Sequence, residues 1–232
     1  MALNFFGREA GFGDEHTSAY FTTPNKEMVI IDLPATAFFK LKKMDLSDYE
    51  NFYVLITHTH DDHIGLLGLW VMYAFFNLKK IPILVVPTQR VADDIATVLT
   101  IGGNDPSWYK IEVSSNLKNA PWFRTAIPTY HAPHLKDKTF GYQLIINNQN
   151  VIYTGDTTSL DAFLPYLKEN SILYVEASIK DGSVHMLLKD NLDILSSLVK
   201  KNIKIYLMHL DNISATEKII ADYPDIEIVT VI

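Results

Sequence analysis

The stretch "LITHTHDDHIG", residues 55–65, sets His58, His60 and His63 beside Asp61 and Asp62, so three imidazoles and two carboxylates share six consecutive positions. Groups this dense cannot all be buried unpaired; they are either solvated or gathered around a cation. In an extended segment residues i and i+2 point the same way, which lets His58 and His60 grip one ion from the same side. Asp62 and His63 follow at the turn into a helix and can face a second ion. Imidazole and carboxylate donors suit zinc, and also manganese or iron. A polar surface loop is the plainer alternative. Against it, the cluster closes the apolar run "FYVLIT" and opens the apolar run "IGLLGLWVMYAFFNL", so it stands between two core elements.

The elements that must hold such a cluster are mostly strands. Runs of β-branched and aromatic residues bounded by turn residues predict strands at 18–23, 28–32, 52–57, 82–87, 123–131, 140–146, 150–156, 172–177, 203–208 and 226–232. The "NNQN" at 147–150 predicts a hairpin connection. Helices are predicted near 63–79, 88–100, 160–169, 187–201 and 214–222. Ser214 and Glu217 are spaced as a capping box, and "TS" ahead of "LDAFLPYL" supplies cap candidates. No repeat or low-complexity tract interrupts the 232 residues, which read as a single domain of two packed sheets with helices outside.

Hydrophobic residues make up 48% and charged residues 20%, an ordinary globular composition. The net charge of −7 argues against a protein that holds nucleic acid by bulk electrostatics. The absence of cysteine excludes disulfides, a thiolate nucleophile and a Cys-ligated metal. The first residues show no basic stretch followed by an apolar one, so the expected compartment is the cytoplasm. The most apolar run, 64–78, is short for a bilayer span, and no membrane association is expected.

The segment His58-Thr-His60-Asp-Asp62-His63 resembles the H-x-H-x-D-H signature of the metallo-β-lactamase superfamily. The further motifs of that superfamily can be sought in order. Asp32 closes "VIID", where an orienting aspartate is expected, and His131 closes "FRTAIPTYH", where the third histidine belongs. Asp156 in "YTGDT" looks like the bridging aspartate, and His209 closes "IYLMH" at the place of the last histidine. The resemblance spans almost the whole chain. It implies an α+β fold, the αββα sandwich of two mixed sheets with helices on the outer faces, and two divalent metal ions, zinc (Zn2+) ahead of manganese (Mn2+). One ion would be held by His58, His60 and His131, the other by Asp62, His63 and His209, with Asp156 bridging. His134 rivals His131 as third histidine; His131 is preferred because it directly ends a strand, and rigid elements hold ligands best. Taken singly, Asp32 and Asp156 could be turn aspartates and His209 an edge histidine. His16 has no counterpart and reads as a loop residue.

Within the superfamily, "LYVEASIKDGSVHM" resembles the segment of the RNase Z branch in which a glutamate precedes a histidine that acts on the phosphodiester. Glu176 and His185 match them, although Val175 stands where that motif has a histidine. By this resemblance Glu176 orients His185, which stabilises or protonates the leaving oxygen, and Asp62 orients or deprotonates the attacking water. The "FGYQL" at 140–144 is similar to a strand of the same branch. Two features depart from the tRNA-processing members. Only a short hairpin separates His131 from Asp156, where those enzymes carry a tRNA-clamping arm, and "HLDN" replaces their H-x-S-x-R. The nearer resemblance is to armless cyclic-nucleotide phosphodiesterases, including phage anti-Pycsar enzymes. It implies a homodimer that hydrolyses a small nucleotide phosphodiester and forms no stable nucleic-acid complex. His134, Lys136 and Lys138 are the candidates to meet the substrate phosphate. The alternatives are an RNase Z-like tRNA 3′ endonuclease and a carboxylic ester, lactone or lactam hydrolase, since fold alone does not choose the bond.

Overall fold

The computed structural model describes residues 1–117, 119–180, 182 and 184–232. The first half of the chain forms one six-stranded sheet in chain order: β1 (Asn4–Gly7), β2 (Ser18–Thr22), β3 (Glu27–Ile31), β4 (Asn51–Leu55), β5 (Ile83–Val86) and β6 (Lys110–Val113). The second half forms another: β7 (Phe123–Pro128), β8 (Phe140–Ile146), β9 (Gln149–Tyr153), β10 (Ile172–Ala177), β11 (Lys204–Leu210) and β12 (Ile226–Ile228). In each sheet the first three strands pair antiparallel and the rest parallel. The crossovers are made by α1 (Ala35–Leu41), α2 (Asp61–Ile64), α3 (Leu67–Tyr73) and α4 (Gln89–Ile101) in the first half, and by α5 (Leu188–Val199) and α6 (Ile213–Ile220) in the second.

The strands are apolar on both faces because both faces are covered. Val29, Ile31, Tyr153 and Tyr174 fill the layer between the sheets. Their strand neighbours Met28 and Ile30 pack under α1, α3 and α4, while Ile152, Leu173 and Val175 pack under α5 and α6. This is the αββα sandwich the sequence led us to expect. The carboxyl ends of β3, β4, β9, β10 and β11 meet at one edge, the usual place for a site in parallel sheets.

The expected strands form, two of them (140–146 and 172–177) with the expected bounds and the rest with ends shifted by one to four residues. The run 226–232 leaves its sheet after Ile228, and Val231 pairs with Phe5 of the other sheet. Asn147 and Asn148, both at positive φ (50° and 62°), make the two-residue hairpin between β8 and β9. The four-residue strands β1 and β6 and the seven-residue α1 were not expected. No helix forms over 160–169; the backbone makes a single 3-10 turn at Leu164–Tyr166, where Pro165 supplies no N–H. The helix expected over 63–79 is broken into α2, α3 and a π turn at Ala74–Leu78. The Ser214 capping box does not form, because Asn212 already caps α6, its side chain accepting from Ala215 N at 3.0 Å. Among the described residues no helix is long and apolar enough to cross a membrane.

Candidate metal centre

β3 and β4 run side by side, so the residues just past their carboxyl ends are neighbours. Asp32 N donates to Leu55 O at 2.9 Å. Asp32 is fully buried and takes the left-handed conformation (φ 59°), which aspartate tolerates better than most residues. One carboxyl oxygen accepts from Thr57 N at 2.8 Å; the other accepts from Thr57 Oγ1 at 2.7 Å and from His63 Nδ1 at 2.8 Å. Thr57 Oγ1 in turn lies 3.0 Å from His58 Nδ1. A single buried carboxylate therefore orients His63 directly and His58 through Thr57. Each ring keeps its Nε2 for a ligand, the outer support usual for metal-binding histidines.

The freed nitrogens converge. His60 Nδ1 lies 3.1 Å from His58 Nε2 and 3.3 Å from His131 Nε2. Asp156 Oδ2 faces the same group, 3.8 Å from His58 Nε2 and 3.6 Å from His131 Nε2. On the other side, Asp62 Oδ2 is 3.4 Å from His63 Nε2 and 3.3 Å from His209 Nε2, and Asp156 Oδ1 is 3.4 Å and 3.5 Å from the same atoms. Asp156 thus turns one oxygen to each group. His63 Nε2 and Asp156 Oδ1 are buried with no hydrogen-bond partner, the kind of orphaned polar atoms that a bound cation satisfies. The donors are all imidazole nitrogens and carboxylate oxygens, and in each group they lie within 4.8 Å of one another. This set fits divalent metal.

Local backbone choices set these donors. Gly155 (φ 59°) turns the chain between β9 and Asp156; a Cβ there would lie 2.8 Å from Phe140 O. His209 is also left-handed (φ 52°), held by its N donating to Thr17 Oγ1 at 3.0 Å. Such a conformation in a non-glycine residue persists where surroundings enforce it. His131 Nδ1 donates to Val184 O at 2.5 Å. Tyr142 of β8 donates to Ile56 O and Phe140 N donates to Thr57 O, which binds the second sheet to the end of β4.

Beside the donors, Glu176 of β10 is fully buried. Its Oε2 accepts from His185 Nδ1 at 2.6 Å and its Oε1 accepts from Thr157 N. His185 is 29% exposed and lines a cavity of about 860 Å3 together with His60, Asp62, His131, Asp156 and His209. Burial lowers the proton affinity of His58 and His60. For His63, burial acts in the same direction but is outweighed by Asp156 and Asp32, which hold it well above the usual histidine range. His209 is likewise lifted, against burial, to about 10 by Asp156 and by hydrogen bonds to Asp62 and Glu176. Burial would raise Asp62, yet hydrogen bonds from His209 and His63 pull it below the ordinary carboxylate range. Carboxylates able to hold protons on His63 and His209 are equally able to hold a cation there, and binding one displaces those protons. His185 is raised, again against burial, by its bond to Glu176.

Three expected contacts do not converge here. His134 is exposed in the 3-10 turn Pro133–Leu135, which carries it away from the cluster that His131 joins, and it does not line the cavity. Lys136 is exposed and also absent from the cavity wall. Lys138 is paired with Asp94 of α4, which engages its ammonium elsewhere. Conversely, His16 does lie on a loop yet contributes to the cavity wall. Two residues gained importance only in three dimensions. Thr57 is one. Asp211 is the other: it accepts from Ser178 Oγ at 2.8 Å, Ile179 N at 3.0 Å and Lys180 N at 3.1 Å, tying the segment that follows β10 to the end of β11. The departure of "HLDN" from the RNase Z motif was the available signal for it.

An αββα sandwich whose strand ends present paired His/Asp groups is the architecture of the metallo-β-lactamase-fold hydrolases, and solved structures agree on the fold. YhfI from Bacillus subtilis, described as a metallo-beta-lactamase fold protein, superposes with a TM-score of 0.73 at 17% identity, covering 97% of this chain and 94% of that one. A diphosphatase from the PhnP family gives 0.70 at 17% identity, covering 99% and 94%. Human tRNase Z, short form (ELAC1), gives 0.68 at 15% identity, covering 99% and 96%. Within that class, this chain belongs to the family described as Anti-Pycsar protein Apyc1, which matches residues 1–222. Two relatives of that description, from Bacillus phages vB_BsuM-Goe3 and vB_BveM-Goe7, are each 28% identical over 186 residues, 69% of either chain.

Proposed function

We propose that this protein is a single-domain, metal-dependent phosphodiesterase that opens a small nucleotide phosphodiester, with cyclic mononucleotides as first candidates. The observation that carries the reading is the Glu176–His185 pair at 2.6 Å, with His185 in the cavity wall beside the donor groups and Glu176 buried behind it. An acid placed at the leaving oxygen speeds cleavage of a phosphodiester, whose alkoxide departs poorly unprotonated. The family membership and the cavity of about 860 Å3, within the range of small-ligand sites, support the same reading. Between His131 and Asp156 lie only a short 3-10 turn and the β8–β9 hairpin, which leaves no arm to embrace a folded RNA.

In this reading His58, His60, His131 and Asp156 hold one divalent ion and Asp62, His63, His209 and Asp156 the other, with zinc expected in both. Ions bound there supply Lewis-acid polarisation and ionise water at neutral pH. The chain's own groups do the rest. Asp62 orients the attacking water, and the proton that water loses passes to solvent. The water oxygen bonds to phosphorus as the phosphorus–oxygen bond to the ribose breaks. His185 gives the Nε2 proton to the departing oxygen, and Glu176 holds the ring and the imidazolium that precedes transfer. The reading extends to a homodimer working in the cytoplasm; light scattering tests the first part and fractionation of expressing cells the second.

The deciding experiment is a panel of cyclic purine and pyrimidine mononucleotides, cyclic dinucleotides, precursor tRNA, and ester and lactam substrates, run with zinc and with manganese. Turnover of cyclic mononucleotides without tRNA trimming is the expected result. Faster turnover of the carboxylic substrates, or efficient 3′ trimming of tRNA with cyclic nucleotides untouched, would sink the proposal.

A further inference from the structure

The loop between β1 and β2 folds back on the site. Ala10 N donates to Leu210 O at 3.0 Å and Leu210 N to Arg8 O at 2.9 Å, so the loop is pinned to the residue after His209. Ala10 to Gly13 then make a β-turn closed by Gly13 N donating to Ala10 O at 2.8 Å. The turn's backbone abuts the donor groups: a Cβ on Gly11 would lie 3.0 Å from Asp62 Oδ2. The next residue, Phe12, is the most exposed of the large apolar side chains described, at 108%. It nevertheless lines the same cavity as His60, Asp62 and His185.

A fully exposed ring usually needs no explanation when it lies on an unremarkable surface. Here it sits on a pinned turn, next to Gly11, which has room for no side chain against the Asp62 carboxylate, at the wall of the cavity that His185 lines. Small apolar residues, Ala10, Ala35, Ala132 and Val184, share the rest of the wall with polar ones such as Lys180 and Asp211, and Phe12 is its one aromatic carbon ring among the described residues. Resting on the nucleotide reading above, we propose that Phe12 is the platform on which the substrate's nucleobase stacks. The phosphodiester meets the strand ends, and the planar base extends toward the β1–β2 turn. Stacking on an aromatic face tolerates every base, because each presents a π surface. Phe12 on this assignment sets affinity for nucleotides as a class, over phosphodiesters that lack a base, and discriminates little between purines and pyrimidines.

The test uses the metal-loaded full chain and compares Phe12→Ala, Phe12→Tyr and the unaltered protein. Substrates are cyclic mononucleotides and ribose 3′,5′-cyclic phosphate, which has no base. Phe12→Ala should raise KM for cyclic nucleotides about tenfold with kcat nearly unchanged, the size of one lost base stack. It should leave the abasic substrate unaffected, and Phe12→Tyr should keep the original KM. Full exposure of the ring predicts an unchanged thermal midpoint, which controls for folding. An unchanged KM in an active Phe12→Ala enzyme would overturn the platform while leaving the phosphodiesterase reading intact, as would an equal rise for the abasic substrate. A Phe12→Ala protein of lower mass in light scattering, with KM unchanged, would assign the ring to a contact between copies instead. Failure of the unaltered enzyme to cut any cyclic nucleotide would remove the underlying reading and this inference with it.

Discussion

His60 and His185 sit in one cavity but have separable tasks, and two substitutions separate them. His60→Ala removes a nitrogen from the first donor group, so activity and metal content should fall together on elemental analysis. His185→Ala leaves every donor in place. Metal content should persist while phosphodiester turnover falls about a hundredfold or more, the scale of a general acid. Thr57→Val keeps the shape but deletes the hydroxyl that links Asp32 to His58. Chelator competition should show metal affinity weakened about 10- to 100-fold, as for other outer-shell losses. The donors themselves were legible in the sequence because each follows a recognisable strand and its residue type has little other reason to be there. Thr57 was not, since a threonine beside a histidine is unremarkable until β3 brings Asp32 within 2.7 Å of it. His134, Lys136 and Lys138 lie off the cavity wall for the converse reason: nearness in sequence to His131 does not survive the turn at Pro133–Leu135.

At the level of elements, long apolar strands announced themselves and short or punctuated elements did not. The four residues of β6 and of β1 are too few to show a period, and α1 starts after Pro34 with no side-chain cap to mark it. The segment 160–169 carries helical composition that Pro165, which supplies no N–H, and the bond from Asn150 Nδ2 of β9 to Tyr166 O at 3.0 Å override. The cap of α6 offers a clean comparison: Asn212→Ala should lower stability by about 1 kcal/mol in denaturant unfolding, whereas Ser214→Ala should do almost nothing. At the turn after β9, Gly155→Ala combines a left-handed backbone with a Cβ placed 2.8 Å from Phe140 O. A loss of about 2 kcal/mol or more is expected, visible as a lower thermal midpoint, with weakened metal binding because Asp156 is the next residue.

Across the whole molecule, the layer between the sheets contains Tyr142, Tyr153 and Tyr174. Burial raises all three hydroxyls, Tyr174 to about 12 and the other two well above their ordinary value. Below pH 10 these tyrosines are neutral in both the folded and the unfolded chain, and their contribution to stability is complete. Above it the unfolded chain ionises first, so stability should fall as pH rises toward 12, by up to about 1.4 kcal/mol per pH unit for each tyrosine. Urea unfolding at a series of alkaline pH values measures this. Removing metal should act at neutral pH as well, because an ion bound only by the folded chain stabilises it by mass action. A lower thermal midpoint in chelator, restored by added zinc, is the expected outcome. The donors divide between the sheets: His58, His60, Asp62 and His63 come from the first half of the chain, and His131, Asp156 and His209 from the second. A ribosome therefore releases them in order, with His209 last. A nascent chain that has not yet delivered β11 can hold neither the second donor group nor the pinned β1–β2 turn, so the two donor groups can close only once both halves of the chain are present together.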